Sequence, residues 1–471
     1  MKIFHVSAEC YPAAKVGGLA DVVGSLPKYL NRLGHDTSVV IPHYTLPFFE
    51  ENTFEKSYEG TLQLGGFEFL FEVLKGKTNT LGFELYTIAI SELFDRPKIY
   101  AYEDDTERFL SFQIAFLNWI VATKQKPDSI HCHDHHTALI PFMVQNCLDY
   151  TTLKNTPTII TIHSAQYQGA FSAEKISYIP AFDETKSGLL EWNGRINPLA
   201  SAVKCAWKIT TVSPSYLDEI ITYANGLENL LRYEREKSIG ILNGIDTEVW
   251  NPDSDPMIHY NYNNNSFEQC KNKNKEFLCE QFNLNSSKPL FVFIGRFVPE
   301  KGADLLTEAC STALNQNAGE INILIIGSGN PDIERSIQGL KNFYFGHYNY
   351  YIGYKEQLSH LAYAGADFLL MPSRVEPCGL NQMYALRYGT IPIVRRIGGL
   401  KDTVLDMGDG GFGICHDQTS IYDINHSIKR AIELFGNPKK MNSLIKVGME
   451  MDHSWNSVAE KYTILYKSLI P

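Results

Sequence analysis

Four short segments of the chain carry residues able to do chemistry. Lys15-Val16-Gly17-Gly18-Leu19 lies between a first apolar run and a helix-like stretch. Two glycines permit close backbone approach, a helix N-terminus supplies unpaired N–H groups, and Lys15 adds a cation, which suits a pyrophosphate. The same residues equally make a tight turn with a solvated lysine. Arg296 and Lys301, in GRFVPEKG, follow a later apolar run. A guanidinium fork and an ammonium point charge together neutralise a diphosphate leaving group, or else form surface salt bridges. Glu376 sits in the loop after the run 367–372, and Gly379-Leu380-Asn381 opens a helix. The N–H groups there can hold sugar hydroxyls or phosphate oxygens. Glu376 can accept from a sugar or ribose, or serve as a carboxylate stabilised by the helix dipole. Last, His131, His133, Asp134, His135 and His136 have the composition of a metal site, but their spacing matches no zinc pattern. They straddle a strand end, where successive side chains face opposite ways. We read them as a polar active-site wall with no metal, and His163-Ser164 as a comparable strand end.

The elements that must position these residues alternate along the chain. Residues 2–7, 36–42, 129–141, 157–164 and 208–215 contain short apolar runs separated by helical stretches. A second series begins at 289–296 and continues at 321–327, 367–372 and 390–394. Strands alternating with helices predict α/β architecture with parallel, doubly wound sheets, which bind ligands at their carboxyl ends. The predicted organisation is two Rossmann-like domains, 1–245 and 246–450, joined through the turn-rich 241–266. A terminal helix in 451–471 packs against either domain, a return to the first being one arrangement. Residues 59–93, rich in alternating aromatic and β-branched residues, read as a hairpin insertion.

The totals exclude several classes. A length of 471 residues implies two or more domains. A net charge of −11 without a long basic run argues against a nucleic-acid footprint. No apolar stretch is long enough for a membrane span, and the N-terminus reaches Glu9 too soon for a signal peptide. Nine cysteines without C-x-x-C spacing fit reduced, buried thiols in a cytoplasmic protein.

Taken in order, KVGGLADVVGSLPK, YEDDTERF, HCHDHHTALIP, TIHSAQYQGAF, VSPSYLDEI, GILNGIDTEVWNP, GRFVPEKGADLL, MPSRVEPCGLNQMYALRYGTIPIVRRIGGLKDTV and SWNSVAEKY resemble the bacterial glycogen synthases and plant starch synthases. These are retaining glycosyltransferases of the two-Rossmann-domain (GT-B) type, whose domains face each other across a deep cleft. The resemblance covers nearly the whole chain. It implies transfer of glucose from ADP-glucose, or less favourably UDP-glucose, to the 4-hydroxyl at the non-reducing end of an α-1,4-glucan, with ADP-glucose as substrate and no cofactor. Its partners would be a nucleotide sugar and an α-glucan. Nothing in the sequence sets an oligomeric state.

The resemblance also implies roles. Lys15, Gly17 and Gly18 would contact the donor's sugar and phosphates. Arg296 and Lys301 would bind and stabilise the diphosphate. Glu376, Cys378, Gly379, Leu380 and Asn381 would surround the glucose and phosphates. Asp134 would hydrogen-bond a glucose hydroxyl, and the His163 carbonyl would lie near the anomeric carbon. Tyr354 would lie against the base, and Asp104 and Arg108 would face the cleft.

The chain departs from the family at His135, where Trp is common, at Ser164, where Asn is common, and at Asn381, where many bacterial relatives have Thr. A serine has shorter reach than asparagine and bears on rate and donor preference more than on reaction class. Tyr384 stands where other retaining transferases carry a second Glu. These departures leave a catalytically silent glucan-binding relative as a competing reading, separable by ADP release. A glucan phosphorylase would need a pyridoxal-phosphate lysine, and no motif points to one.

Overall fold

The computed structural model describes all residues except 79 and 471. The chain divides into two compact units, residues 1–244 with 455–471, and residues 245–454.

The first unit holds a sheet of nine strands. In chain order they are β1 (Lys2–Val6), β2 (Asp36–Pro42), β3 (Phe54–Leu64), β4 (Phe67–Gly76), β5 (Glu84–Ile90), β6 (Ser129–His133) and β7 (Thr158–Ile162). After the small hairpin β8 (Glu191–Trp192) and β9 (Arg195–Ile196) come β10 (Lys208–Thr211) and β11 (Ser238–Gly240). The order across the sheet is β11-β10-β7-β6-β1-β2-β5-β4-β3. From β11 to β5 every pairing is parallel. Both faces are therefore covered, which is why β6 and β7 are buried at every residue, β6 even at its alternating polar positions Ser129, His131 and His133.

The predicted hairpin in 59–93 proves to be more than an insertion. β3 and β4 form an antiparallel pair, but β5 then joins β2 in parallel, so the hairpin extends the main sheet at its edge.

The helix Gly18–Arg32 buries Leu19, Val22, Val23, Leu26, Tyr29 and Leu30, the spacing of one helical face. Part of that face meets the terminal helix Trp455–Lys467. Trp455, Val458, Tyr462 and Tyr466 share a buried cluster with Ile3, Val22, Leu26, Tyr29 and Leu30. The chain thus leaves the first unit at 244 and returns to it at 455.

The second unit contains β12 (Leu290–Phe297), β13 (Asn322–Gly329), β14 (Tyr348–Ile352), β15 (Phe368–Met371), β16 (Ile391–Arg395) and β17 (Ile414–His416). All pair in parallel, in the order β14-β13-β12-β15-β16-β17. This is the doubly wound Rossmann order, with its switch point beside β12, where chain direction around the sheet reverses. No helix among the described residues is long and apolar enough to cross a membrane.

Truncating Trp455 in the shared cluster should cost the first unit about 3–5 kcal/mol, the usual range for a buried Trp→Ala change. Urea unfolding of Trp455→Ala, followed by hydrogen exchange at β1 and β7 amides, checks this. An unchanged midpoint would show that the returning helix is not part of that core.

Candidate functional site

In the first unit the predicted residues gather at the carboxyl ends of three adjacent strands. Lys15, Gly17 and Gly18 follow β1, Asp134 follows β6, and His163 with Ser164 follows β7. A Cβ added at Gly17 or Gly18 would meet nothing within 4 Å, so open space lies over this turn. Lys15 is less mobile than the sequence implied. Its ammonium pairs with Asp21 at 2.7 Å and lies 5.1 Å from the centre of the Tyr11 ring.

The turn is held from below by a residue that sequence reasoning missed. Glu9 is buried, and its Oε2 accepts the N–H groups of Val16 at 2.6 Å and Gly17 at 3.0 Å. The Tyr100 hydroxyl donates to Oε1 at 2.7 Å. Burial pushes the Glu9 carboxyl above its ordinary range, against the pull of these donors. Two amides expected to serve an anion are therefore committed to Glu9. Glu9 carried a signal, an acidic residue inside an apolar first strand-turn.

Asp134 does similar work between β6 and β7. Its Oδ1 accepts from the His163 N–H at 2.7 Å and the Ser164 N–H at 3.4 Å. Its φ is 56° and ψ −176°, a region that non-glycine residues enter at a cost of about 1–3 kcal/mol. Burial raises its carboxyl from 3.8 to about 7. The Ser164 hydroxyl interacts with the Tyr216 hydroxyl, which also accepts from the Ala165 N–H at 2.9 Å. The departure at Ser164 is thus absorbed by a tyrosine partner.

Two expectations change. Arg108 does not face an open surface: it is 0% exposed, donates to the carbonyls of Leu93 at 2.7 Å and Ile99 at 3.0 Å, and pairs with Asp105 at 2.5 Å. It lies over the Phe94, Tyr102 and Phe109 rings, which explains how a charge can be buried there. Asp104 is held by Arg96 through two hydrogen bonds of 2.6 and 2.7 Å, which keep its carboxyl below the usual range. Both residues therefore shape the 93–105 loop.

The histidine nitrogens are largely engaged with other groups. His5, His131 and His133 are close enough to share an ion. However, His131 uses its nitrogens on the Tyr466 and Thr161 hydroxyls at 2.7 and 2.6 Å, and its ring stacks on His133 with centroids 4.4 Å apart. His135 and His136 pack against each other farther along, and His136 stacks on Tyr100.

In the second unit the residues gather around the switch strand. Arg296 near the end of β12 is exposed, and its guanidinium has no partner among the described residues. Lys301, five positions on, donates to both oxygens of Glu376 at 2.6 Å, and Ser373 donates to Oε2 at 3.0 Å. Glu376 is 4% exposed and Lys301 is half-buried, so this is a part-buried pair with its carboxylate fully engaged. The loop carrying Lys301 is clamped to that carrying Glu376: Arg374 makes a two-point contact with Asp304 at 2.6 and 2.9 Å, and its N–H donates to the Glu300 carbonyl at 2.8 Å.

Cys378 is buried, while Gly379, Leu380 and Asn381 are half-buried. The Asn381 side chain donates to the Ile294 carbonyl at 2.7 Å, tying the helix Asn381–Arg387 to β12. Beneath the loop, a Cβ on Gly398 would lie 2.0 Å from the Glu376 carbonyl oxygen, so only glycine fits there. Tyr354, just past β14, is 68% exposed.

Residues 2–233 match the family described as the starch synthase catalytic domain, and residues 274–450 match the glycosyl transferases group 1 family. A glycogen synthase of Flavobacterium johnsoniae is 59% identical over 470 residues, covering 100% of this chain and 99% of that protein. A glycogen synthase of Thermodesulfovibrio yellowstonii is 37% identical, covering 100% of this chain and 98% of that one. Among solved structures, the catalytic domain of starch synthase IV from Arabidopsis thaliana, bound to ADP and acarbose, superposes with a TM-score of 0.91 at 32% identity, covering 99% of each chain. A sucrose-phosphate synthase from Thermosynechococcus elongatus shares the fold, with a TM-score of 0.63 at 17% identity over 99% of this chain and 98% of that one.

Two outcomes follow from the buried carboxylates. Glu9→Ala leaves the Val16 and Gly17 amides without their acceptor, and their hydrogen exchange should quicken by roughly tenfold or more, since hydrogen bonds to a charged group are worth about 1.5–3 kcal/mol. Exchange at wild-type rates would show that Glu9 does not hold the turn. For Asp134, the folded chain keeps a proton that the unfolded chain releases near 3.8, so its burial destabilises progressively from there to about pH 7 and fully above. The melting temperature of Asp134→Asn, relative to wild type, should therefore climb across that window and level off above it. A flat difference would place the carboxyl's ionisation elsewhere.

Proposed function

The chain belongs to the glycogen synthase and starch synthase family of GT-B glycosyltransferases, and from that premise we propose that it extends an α-1,4-glucan with glucose taken from ADP-glucose. The glucose passes to the 4-hydroxyl of the glucan's non-reducing end with its configuration retained, and ADP is released. The largely parallel nine-stranded sheet and the all-parallel six-stranded sheet are consistent with the two Rossmann-like domains of this fold class. The ADP bound to the starch synthase IV domain favours an adenine nucleotide over a uridine one. The reaction needs no cofactor beyond its two substrates, and we place it in the cytoplasm.

The observation that carries this reading is the unpartnered Arg296 guanidinium at the switch strand, followed by the clamped Lys301. A diphosphate leaving group develops negative charge as the glycosidic bond breaks. Preorganised cations aimed at that charge act without reorganising. Glu376 holds Lys301 in place and, with Gly379, Leu380, Asn381 and Cys378, lines the sugar and phosphate positions. Lys15 and the open turn at Gly17 and Gly18 take the donor's phosphates and sugar from the first domain's residues. Asp134 accepts from a glucose hydroxyl, the His163 carbonyl lies near the anomeric carbon, and Ser164 sits beside it. Tyr354 covers the base.

A two-step retaining mechanism would need a free carboxylate beneath the anomeric carbon. Glu376 has both oxygens on Lys301, and Asp134 spends one oxygen on backbone amides. This supports front-face attack: the diphosphate departs, an oxocarbenium-like state forms, and the departing phosphate oxygen helps remove the acceptor's proton.

Lys301→Ala should lower turnover of ADP-glucose with glycogen by about 100-fold or more while the fold persists, the usual effect of removing one preorganised charge-stabilising group. Initial rates with ADP-glucose and UDP-glucose, measured by nucleotide release, check both parts. Near-normal turnover by the variant would sink the role of Lys301, and faster turnover of UDP-glucose would reverse the donor.

A further inference from the structure

A row of imidazoles runs from the middle of the first sheet to His163. His5 on β1 and His133 on β6 are wholly buried, with His5 Nδ1 3.1 Å from His133 Nε2. His133 Nδ1 lies 3.0 Å from His163 Nε2. Burial pushes His5 and His163 down to about 3 and His133 well below its ordinary value, so the three are neutral near pH 7. A neutral imidazole has one N–H and one lone pair. With both its nitrogens engaged, His133 must donate to one neighbour and accept from the other. The row therefore has only two senses.

The far end decides between them. His5 Nε2 is buried with no partner among the described residues. If protons ran from His163 toward His5, that atom would carry an N–H with nothing to receive it, and orphaned buried N–H groups are rare. In the opposite sense it carries only a vacant lone pair. His5 then donates to His133, and His133 donates to His163 Nε2. The remaining proton of His163 falls on Nδ1, which has no partner among the described residues. His131 stands outside the row, because its two nitrogens serve Tyr466 and Thr161.

We propose that His5 and His133 are positioning residues that hold His163 as its Nδ1–H tautomer, so that its ring presents a hydrogen-bond donor to an oxygen of the transferring sugar. The sugar contact rests on the reading of His163 given above; the tautomer does not. A fixed neutral donor can orient a sugar oxygen without adding a charge beside the forming oxocarbenium, where an imidazolium would oppose the reaction.

Nitrogen-15 NMR of the histidine-labelled, donor-free protein tests the row, with His163 assigned by the loss of its signals in His163→Gln. The expected result is a protonated Nδ1 and a bare Nε2, and a protonated Nε2 would overturn the proposal. His133→Phe keeps the ring and removes both nitrogens. It should mix the His163 tautomers and lower kcat about tenfold, the equivalent of one misdirected hydrogen bond, with a smaller change in the donor's KM. His133→Asn, whose amide can donate toward His163, should restore much of the tautomer. An unchanged tautomer and kcat in His133→Phe would also overturn the proposal. Wild-type ADP release, run alongside, separates the two layers: if it is absent while the Nδ1–H tautomer is present, the sugar contact falls and the row stands.

Discussion

The site of the first unit depends on buried carboxylates that accept backbone N–H groups. Glu9 takes the amides of Val16 and Gly17, and Asp134 takes those of His163 and Ser164. Parallel strands end in loops, and loops are the least constrained parts of a domain. A carboxylate beneath the loop changes that. It fixes two amides at once, and being buried it does so where water cannot compete. The cost appears in both groups as a raised proton affinity, and in Asp134 also as an unfavourable backbone conformation. Such costs persist only where the surrounding structure over-determines the geometry. Here the parallel register of β1, β6 and β7 does so.

The second unit solves the same problem with the opposite arrangement. Its buried carboxylate, Glu376, holds an ammonium rather than amides. The glycines at 398 and 399 let the following helix press against the Glu376 and Cys378 backbone, and Arg374 locks the neighbouring loop. The first unit thus offers a rigid polar surface whose cation, Lys15, is paired with Asp21, and the second offers an exposed arginine and a held lysine. On the proposed reaction this matches the chemistry, since the sugar ring is neutral before transfer and negative charge grows on the diphosphate.

Much of this architecture was legible in the residues. β7, β12 and β15 are largely apolar runs bounded by turn residues, and buried parallel strands read that way. The small edge strands β11 and β17, three residues each, were not legible, because so short a run has no periodicity. β14 was masked by a tyrosine-rich composition that suits a loop equally well. Arg108 was misplaced because charge predicts exposure, whereas the Asp105 carboxylate, two backbone carbonyls and the rings of Phe94, Tyr102 and Phe109 together accommodate it. Glu9 and His5 were overlooked for the converse reason. Both sit in a segment whose apolar character marks a strand, and their roles arise from partners far along the chain, Tyr100 and His133, that sequence order does not bring together.

The charges of the second unit also imply an ordering of roles among them. Lys301 is already half-neutralised by Glu376 at 2.6 Å, so its net pull on a distant anion is small until the anion displaces or shares that contact. Arg296 has no such counter-charge. On the proposed reaction its field would act first on an approaching diphosphate, and its planar fork suits two phosphate oxygens together. On the same proposal Lys301 would act later and at shorter range, held by a carboxylate that keeps its long side chain from exploring other rotamers. An ion pair that looks like a neutralised charge is then better understood as a positioned one: Glu376 gives up some of the lysine's attraction for the diphosphate and in return removes most of the entropy loss of placing it.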